Sequence, residues 1–379
     1  MKIPFFQPCI DGETELSVLE VLRSGWLTTG SKTLEFEKKF AEYVGTDNAV
    51  MVNSGTAALH LCMAALDLQP GDEVITTPYT FAATAEVVEY FNAKPVFVDV
   101  RKDTLNINEK SIEERINSRT RAIIPVHFAG HPCEMNTIME IADRHNLLIV
   151  EDAAHCTPAY YQGRPVGSLG HCTCFSFYAN KCITTGEGGM VTTADSSLAD
   201  KIRSLRLHGL SKDAVNRYQK SGSWEYDIIA RGYKYNPTDI SAAIGLGQLK
   251  QADSFHRERK KIAAWYTERL QDIPEIHIPK EAGGVDSSWH LFPIRLCGQL
   301  QGRRNGVIDE LRKREISVSV HFKPLHLHSY YADKYAYRPE DFPVANEAYQ
   351  GLITLPVYPG LNDKQVDFIV KNLIEILHE

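Results

Sequence analysis

Residues 147–155 read LLIVEDAAH: an apolar run of strand length ends in two carboxylates, and an imidazole follows three residues after the second. A stretch that is apolar at consecutive positions is a strand covered on both faces, as in a parallel sheet flanked by helices. The same grammar repeats in both directions. Upstream stand AVMVN (49–53), EVITT (73–77), KPVFVDV (94–100) and RAIIPVH (121–127), and downstream CTCFSF (172–177) and GMVTT (189–193). Helical spacing fills the intervals at 56–66, 81–91, 110–116 and 134–145. This alternation predicts an α/β protein with a mostly parallel seven-stranded sheet.

Past Trp224 the pattern changes. Thr238-Asp239 can cap a long helix that runs to about Leu270, with Ile244, Leu249 and Ala263 at helical spacing. WHLFPIRL (289–296), a helix over 306–314, SVSVHF (317–322) and a terminal helix over 364–378 then read as a smaller α+β domain. The expected division is an N-terminal segment (1–20), a large cofactor-binding domain (21–250) and a small C-terminal domain (251–379). A helix over 13–23 leads out of the first segment, which returns to the small domain or bridges to a partner.

The 379 residues carry 41 Lys plus Arg against 48 Asp plus Glu, a net charge of −7. A mildly acidic chain without a basic block is a poor nucleic-acid binder, and a bound anion must be held by local groups. No apolar run approaches a membrane span, and the start, MKIPFFQPCIDGE, has no apolar signal region, so a soluble cytoplasmic protein is expected. Eight cysteines without a CxxC pair read as reduced core residues. Cys172 and Cys174 would share a strand face beside His171, but with no second ligand pair nearby no metal is expected.

Ligands of open α/β sheets bind beyond the carboxyl ends of strands. After AVMV, Asn53-Ser54-Gly55-Thr56 opens an alanine-rich helix whose free amides and hydroxyls outline an anion site, or Ser54 is an ordinary N-cap. After LLIV, Asp152 is a buried carboxylate that needs a cationic partner, either a distant arginine or a protonated ring nitrogen of a cofactor. After CTCFSF, Lys181 lies between an apolar strand and the glycine-rich turn TTGEGG (184–189). It is either a lysine at a loop tip or, with its pKa depressed, a nucleophile able to form a Schiff base. No strand is followed by G-x-G-x-x-G and there is no Walker A sequence, so an anion loop, an Asp and a Lys in that order suit pyridoxal phosphate better than a dinucleotide.

Six motifs in register, SGWLTTG (24–30), NSGTAALHL (53–61), GDEVITTPYTFAAT (71–84), VEDAAH (150–155), FSFYANKCITTGEGGM (175–190) and GYKYNPTDISAAI (232–244), resemble the DegT/StrS group of sugar aminotransferases. The resemblance spans essentially the whole chain. It implies the PLP-dependent transferase fold type I, pyridoxal 5'-phosphate as cofactor, and a homodimer with active sites shared between subunits. Lys181 stands where the group has its Schiff-base lysine, and where related dehydratases carry histidine. The likeness assigns Asp152 to the pyridinium nitrogen, His155 to the phenolic oxygen, and Phe81 to stacking on the ring. It assigns Gly55, Thr56 and Ser176 to the phosphate, with Asn236 reaching in from the partner subunit, and places Trp26, Thr29 and His321 near the substrate. Core packing for Phe81 and a structural turn for Asn236 are the alternatives. The Lys-, Ser-, Gly- and Tyr-rich stretch ahead of Arg231 reads as a surface excursion.

Within the group, VHFAGHP (126–132) and GYKYNPTDI look most like enzymes that aminate C4 of nucleotide-linked 4-keto sugars, such as those forming UDP-4-amino-4-deoxy-L-arabinose. A UDP-linked 4-keto-6-deoxy hexosamine fits equally. The expected reaction transfers the amino group of L-glutamate to a nucleotide-sugar substrate. A 3-keto sugar or cyclitol aminotransferase and a non-catalytic PLP-binding regulator are the other readings.

Overall fold

The computed structural model describes residues 1–211 and 226–379. Most of the expected surface excursion, 212–225, lies outside the described residues. Seven strands form the central sheet: β1 (Asn48–Val52), β2 (Glu73–Thr76), β3 (Lys94–Phe97), β4 (Thr120–Ile123), β5 (Leu148–Asp152), β6 (Cys172–Ser176) and β7 (Gly189–Thr193), in the order β1-β7-β6-β5-β4-β2-β3. Only β7 runs antiparallel to its neighbours. Consequently β1, β2, β5 and β6 all end on the same edge. Their consecutive apolar residues are buried on both faces, for example Val50 and Met51, or Ile149 and Val150.

Helices cover both sides. On one side α2 (Ser31–Val44) and α5 (Met135–His145) bury Phe36, Phe40, Ile138 and Ile141 against Met51, Ile149 and Phe175. On the other, α3 (Gly55–Ala65) packs its alanines and Leu61 with α4 (Ala83–Glu89) and α6 (Ser196–Leu205) over Val52, Val150 and Val191. Ahead of them, α1 (Gly12–Ser24) is capped by Asp11, whose Oδ1 accepts from the amide of Thr14.

The long helix α7 (Asp239–Leu270) begins where the sequence places it, with Thr238 Oγ1 accepting from the amide of Ser241. It belongs to two cores. Ala242, Leu249 and Phe255 pack on the sheet, whereas Ile262, Tyr266 and Leu270 pack on a three-stranded antiparallel sheet of β8 (Ile276–His277), β9 (Phe292–Leu296) and β10 (Leu352–Leu355). Around that sheet stand α8 (Arg304–Lys313), α9 (Ser329–Tyr335), α10 (Pro343–Gly351) and α11 (Asp363–His378). The N-terminus returns here, with Ile3 fully buried and bridged to Ile316.

Two expected elements differ. Residues 110–116 form two 3-10 turns rather than a helix, because Ile112 is the one fully buried anchor of a short, charged stretch that cannot present an apolar face. SVSVHF alternates like a strand but makes a single bridge, Ser319 to Thr354, and the chain then turns at 321–322 toward the central sheet.

Candidate active site

The carboxyl ends of β1, β2, β5 and β6 open on one cavity of about 470 Å³, closed from the opposite side by His290, His321 and Phe322. At the end of β1 the backbone approaches unusually closely: a Cβ on Gly55 would stand 2.8 Å from the Cβ of Ser176, and one on Gly189 would stand 2.4 Å from the carbonyl oxygen of Ser54. Only glycine lets the three strand ends converge there. Ser54 does cap α3, accepting from the amide of Ala57 at 3.0 Å. The first amides of α3 still face the cavity beside Thr56 and Ser176, an anion cradle at a helix N-terminus.

Asp152 ends β5 with 6% of its surface exposed, Oδ2 accepting from Thr84 Oγ1 at 2.7 Å and Oδ1 from the amide of Ala154 at 3.2 Å. No arginine or lysine forms an ion pair with it among the described residues, so the distant-arginine alternative fails, and its charge is left facing the cavity. Lys181 lies on the turn after β6, its amide bonded to the Tyr178 carbonyl at 2.9 Å. Burial pulls its ammonium down to about 8, and the nearby Asp152 carboxylate opposes that fall. An appreciable fraction of the amine is therefore neutral near pH 8.

Three imidazoles complete the wall. His155 and His290 are held neutral by burial first and by the neighbouring Lys181 and histidines second, while burial and then Lys181 bring His321 to about 4. Behind them His127 and Glu151 form a buried pair at 2.8 Å; since His127 Nδ1 accepts the amide of Cys133, its Nε2 carries the proton and donates to the carboxylate. Phe81 is 63% exposed, which removes core packing as its explanation, and it lines the same cavity.

The DegT/DnrJ/EryC1/StrS aminotransferase family profile matches residues 8–374. The chain belongs to this family. Spore coat polysaccharide biosynthesis protein SpsC of Bacillus subtilis is 44% identical over 99% of the chain and 97% of its own length. Among solved structures, Spr1654 of Streptococcus pneumoniae, assigned as a sugar aminotransferase and seen in its PMP form, superposes with a TM-score of 0.94 at 36% identity over 99% of both chains. PseC of Helicobacter pylori, an aminotransferase involved in the biosynthesis of pseudoaminic acid, gives 0.92 at 32% over the whole of both chains. Members of the DegT/DnrJ/EryC1/StrS family are sugar aminotransferases that use pyridoxal phosphate.

The residues of this cavity suit that cofactor: an anion cradle at 54–56 and 176, a carboxylate in no ion pair among the described residues, an amine of lowered pKa, an exposed aromatic face, and a buried His155 Nδ1 without a partner. The structure thus brings together Gly55, Thr56, Phe81, Asp152, His155, Ser176, Lys181 and His321. It does not bring Trp26, Thr29 or Asn236 to the wall of this chain's own cavity. Those three form a separate cluster, in which Asn236 Nδ2 donates to Thr29 Oγ1 at 2.9 Å and Trp26 Nε1 to the Thr29 carbonyl at 3.1 Å. Sequence reasoning missed Thr84 in the first turn of α4, Thr80 in the bend ahead of it, whose hydroxyl meets that of Thr84 at 2.7 Å, and His290, two residues ahead of β9. Among the described residues no cluster suits a metal; Nδ1 of His171 is engaged by the amide of Ile149, and Cys62 and Cys174 meet in the core with sulfurs 3.5 Å apart. All eight cysteines are free, and no described helix is long and apolar enough to cross a membrane.

Proposed function

We propose that this aminotransferase moves the amino group of L-glutamate to a 4-keto sugar carried on a nucleotide, with UDP the favoured carrier. The observation that carries the reading is the pairing of a neutralisable Lys181 with an uncompensated Asp152 across one cavity. Bound there, pyridoxal phosphate supplies an electron sink conjugated to the reacting carbon. Asp152 holds a proton on the ring nitrogen, Thr84 and the Ala154 amide fix that carboxylate, and Phe81 sets the plane of the ring. Gly55, Thr56 and Ser176 hold the phosphate. Lys181 anchors the cofactor through its amine and, once released, takes and returns the proton at the substrate carbon. His155 meets the phenolic oxygen, and His321 faces the sugar.

Two further elements belong to the proposal. The cluster of Trp26, Thr29 and Asn236 serves the cavity of a second copy, so the working unit is a homodimer. The sugar specificity follows the motifs at 126–132 and 232–240. The test is release of 2-oxoglutarate from glutamate with a panel of acceptors. Turnover with UDP-linked 4-keto sugars and not with 3-keto sugars or keto cyclitols is expected; a preference for either of the latter overturns the C4 assignment, and bound cofactor that exchanges nitrogen with no donor overturns catalysis.

A further inference from the structure

The wall of the cavity holds a residue with no role so far. His290 is 5% exposed, at the head of β9, and its ring lies 4.5 Å from that of His155 between centroids, tilted by 42°. Two residues earlier, Ser288 Oγ donates to the main-chain carbonyl of His155 at 2.5 Å. The same short segment grips the loop after β4, since Ser287 Oγ and the Ser288 amide both donate to the Gly130 carbonyl at 3.0 Å. From behind, Arg259 of α7 donates to the carbonyls of Trp289, His290 and Val357. His155 Nδ1 and His290 Nδ1 are both buried and without partners, so no hydrogen bond from the ring of His155 to protein fixes its orientation at that atom. What holds the ring is packing, by His290 on one side and by Phe322, stacked at 5.9 Å and 19°, on another.

We propose that Ser288 and His290 form a brace that positions His155, Ser288 by its main chain and His290 by the face of its ring, so that the imidazole meets the cofactor's phenolic oxygen at a fixed angle. The proposal rests on the reading of His155 given above. The charged and titratable groups facing this pair are Asp152 beside it, Lys181 after β6, His321 on the far wall and Arg259 on α7. None of these bonds the ring of His155.

The readout is the pH midpoint of the visible absorption of the bound cofactor. A hydrogen bond to the phenolic oxygen disperses its negative charge and loosens its hold on the neighbouring imine proton, so losing that bond raises the midpoint. His155→Ala sets the full shift. Ser288→Ala and His290→Ala are expected to shift the midpoint in the same direction by about half a pH unit or more, His290→Phe to stay near the parent because it restores the ring face, and His155→Ala with His290→Ala to match His155→Ala alone. Cooperative melting of each cofactor-free variant establishes folding, and Ser288→Ala carries the test if His290→Ala does not fold. A shift in His155→Ala with none in the brace variants overturns the brace alone. A His290→Phe shift as large as that of His290→Ala overturns packing as the means. No shift in His155→Ala overturns the reading of His155 itself, and the brace with it.

Discussion

Lys181 was legible in the sequence because a charge between an apolar strand and a glycine-rich turn has few places to go, and the fold puts it beside the strand-end Asp152. What the sequence could not give was the degree of burial that lowers its pKa, since the cavity around it is assembled from distant segments, with His290 and His321 more than a hundred residues away. The amine must be neutral to attack the cofactor's aldehyde. With the folded value at about 8 rather than 10.5, the neutral fraction grows as pH rises through 8 and then saturates. Stopped-flow capture of pyridoxal phosphate by the cofactor-free protein is therefore expected to accelerate up to about pH 8 and level off above it; continued acceleration toward pH 10 would mean a solvated lysine. His321, at about 4, stays neutral throughout that window and leaves the profile to Lys181. Lys181→Ala should show no transamination and an unchanged melting curve, because the change removes an amine from a turn and no apolar volume from a core.

Asp152 belongs to the same scale. Its two oxygens are held by Thr84 and by the Ala154 amide, and an amide group can keep the first of these contacts but cannot hold a proton on a ring nitrogen. Asp152→Asn is expected to retain cofactor, seen in its spectrum, and to lose on the order of a hundredfold or more in kcat. Unchanged kinetics would leave Asp152 a structural role only.

At the scale of elements, what local sequence encodes is local. The β5 strand, the α3 helix and the Thr238 cap of α7 all follow from neighbouring residues and appear where expected. The start of α2 does not. Gly30 stands at its N-cap and offers no side chain; the cap comes from Asp239, 209 residues on, whose buried carboxylate accepts from the amides of Gly30, Lys32 and Thr33 and from Thr33 Oγ1 at 2.7–3.1 Å. One side chain thereby ties the loop at 26–30 to the first turn of α7. Asp239→Ala leaves these donors unmatched in a site that is 3% exposed and is expected to cost about 3 kcal/mol. Asp239→Asn, which keeps one acceptor oxygen, should cost less. Urea unfolding midpoints measure both. A loss below about half a kcal/mol for the alanine variant would show that water replaces the carboxylate and that the loop is held by something else. SVSVHF marks the opposite limit: alternation is written locally, but a strand also needs a partner along its length. This stretch has only isolated contacts, the Ser317 amide to the Ile3 carbonyl and the bridge of Ser319 to Thr354, among the described residues.

At the scale of the whole molecule, the family likeness put Trp26 and Thr29 near the substrate and Asn236 in the partner subunit's phosphate site, and the folded chain gathers the three in a cluster that does not line its own cavity. The arm that carries Asn236 is well anchored within its chain: the amide of Asn53 donates to the Tyr235 carbonyl, and Tyr235 also pairs through its hydroxyl with His60 of α3 at 2.9 Å. An anchored arm cannot fold back over its own cavity without breaking those bonds. If Asn236 serves a phosphate site, that site belongs to another copy, and cofactor retention is linked to assembly. Asn236→Ala should lower affinity for the cofactor, measured by dialysis and absorbance, in an enzyme whose Lys181 is intact. Lys181→Ala is inactive for a different reason, with Asn236 intact. Mixing the two and allowing subunits to exchange creates hybrids with one site made of an intact Lys181 and an intact Asn236, and the other lacking both. Activity at limiting cofactor should then rise above that of either variant, toward half the parental value in a pure hybrid. An active, stably monomeric enzyme, or hybrids demonstrated by mass that regain nothing, would return Asn236 to the role of a structural turn.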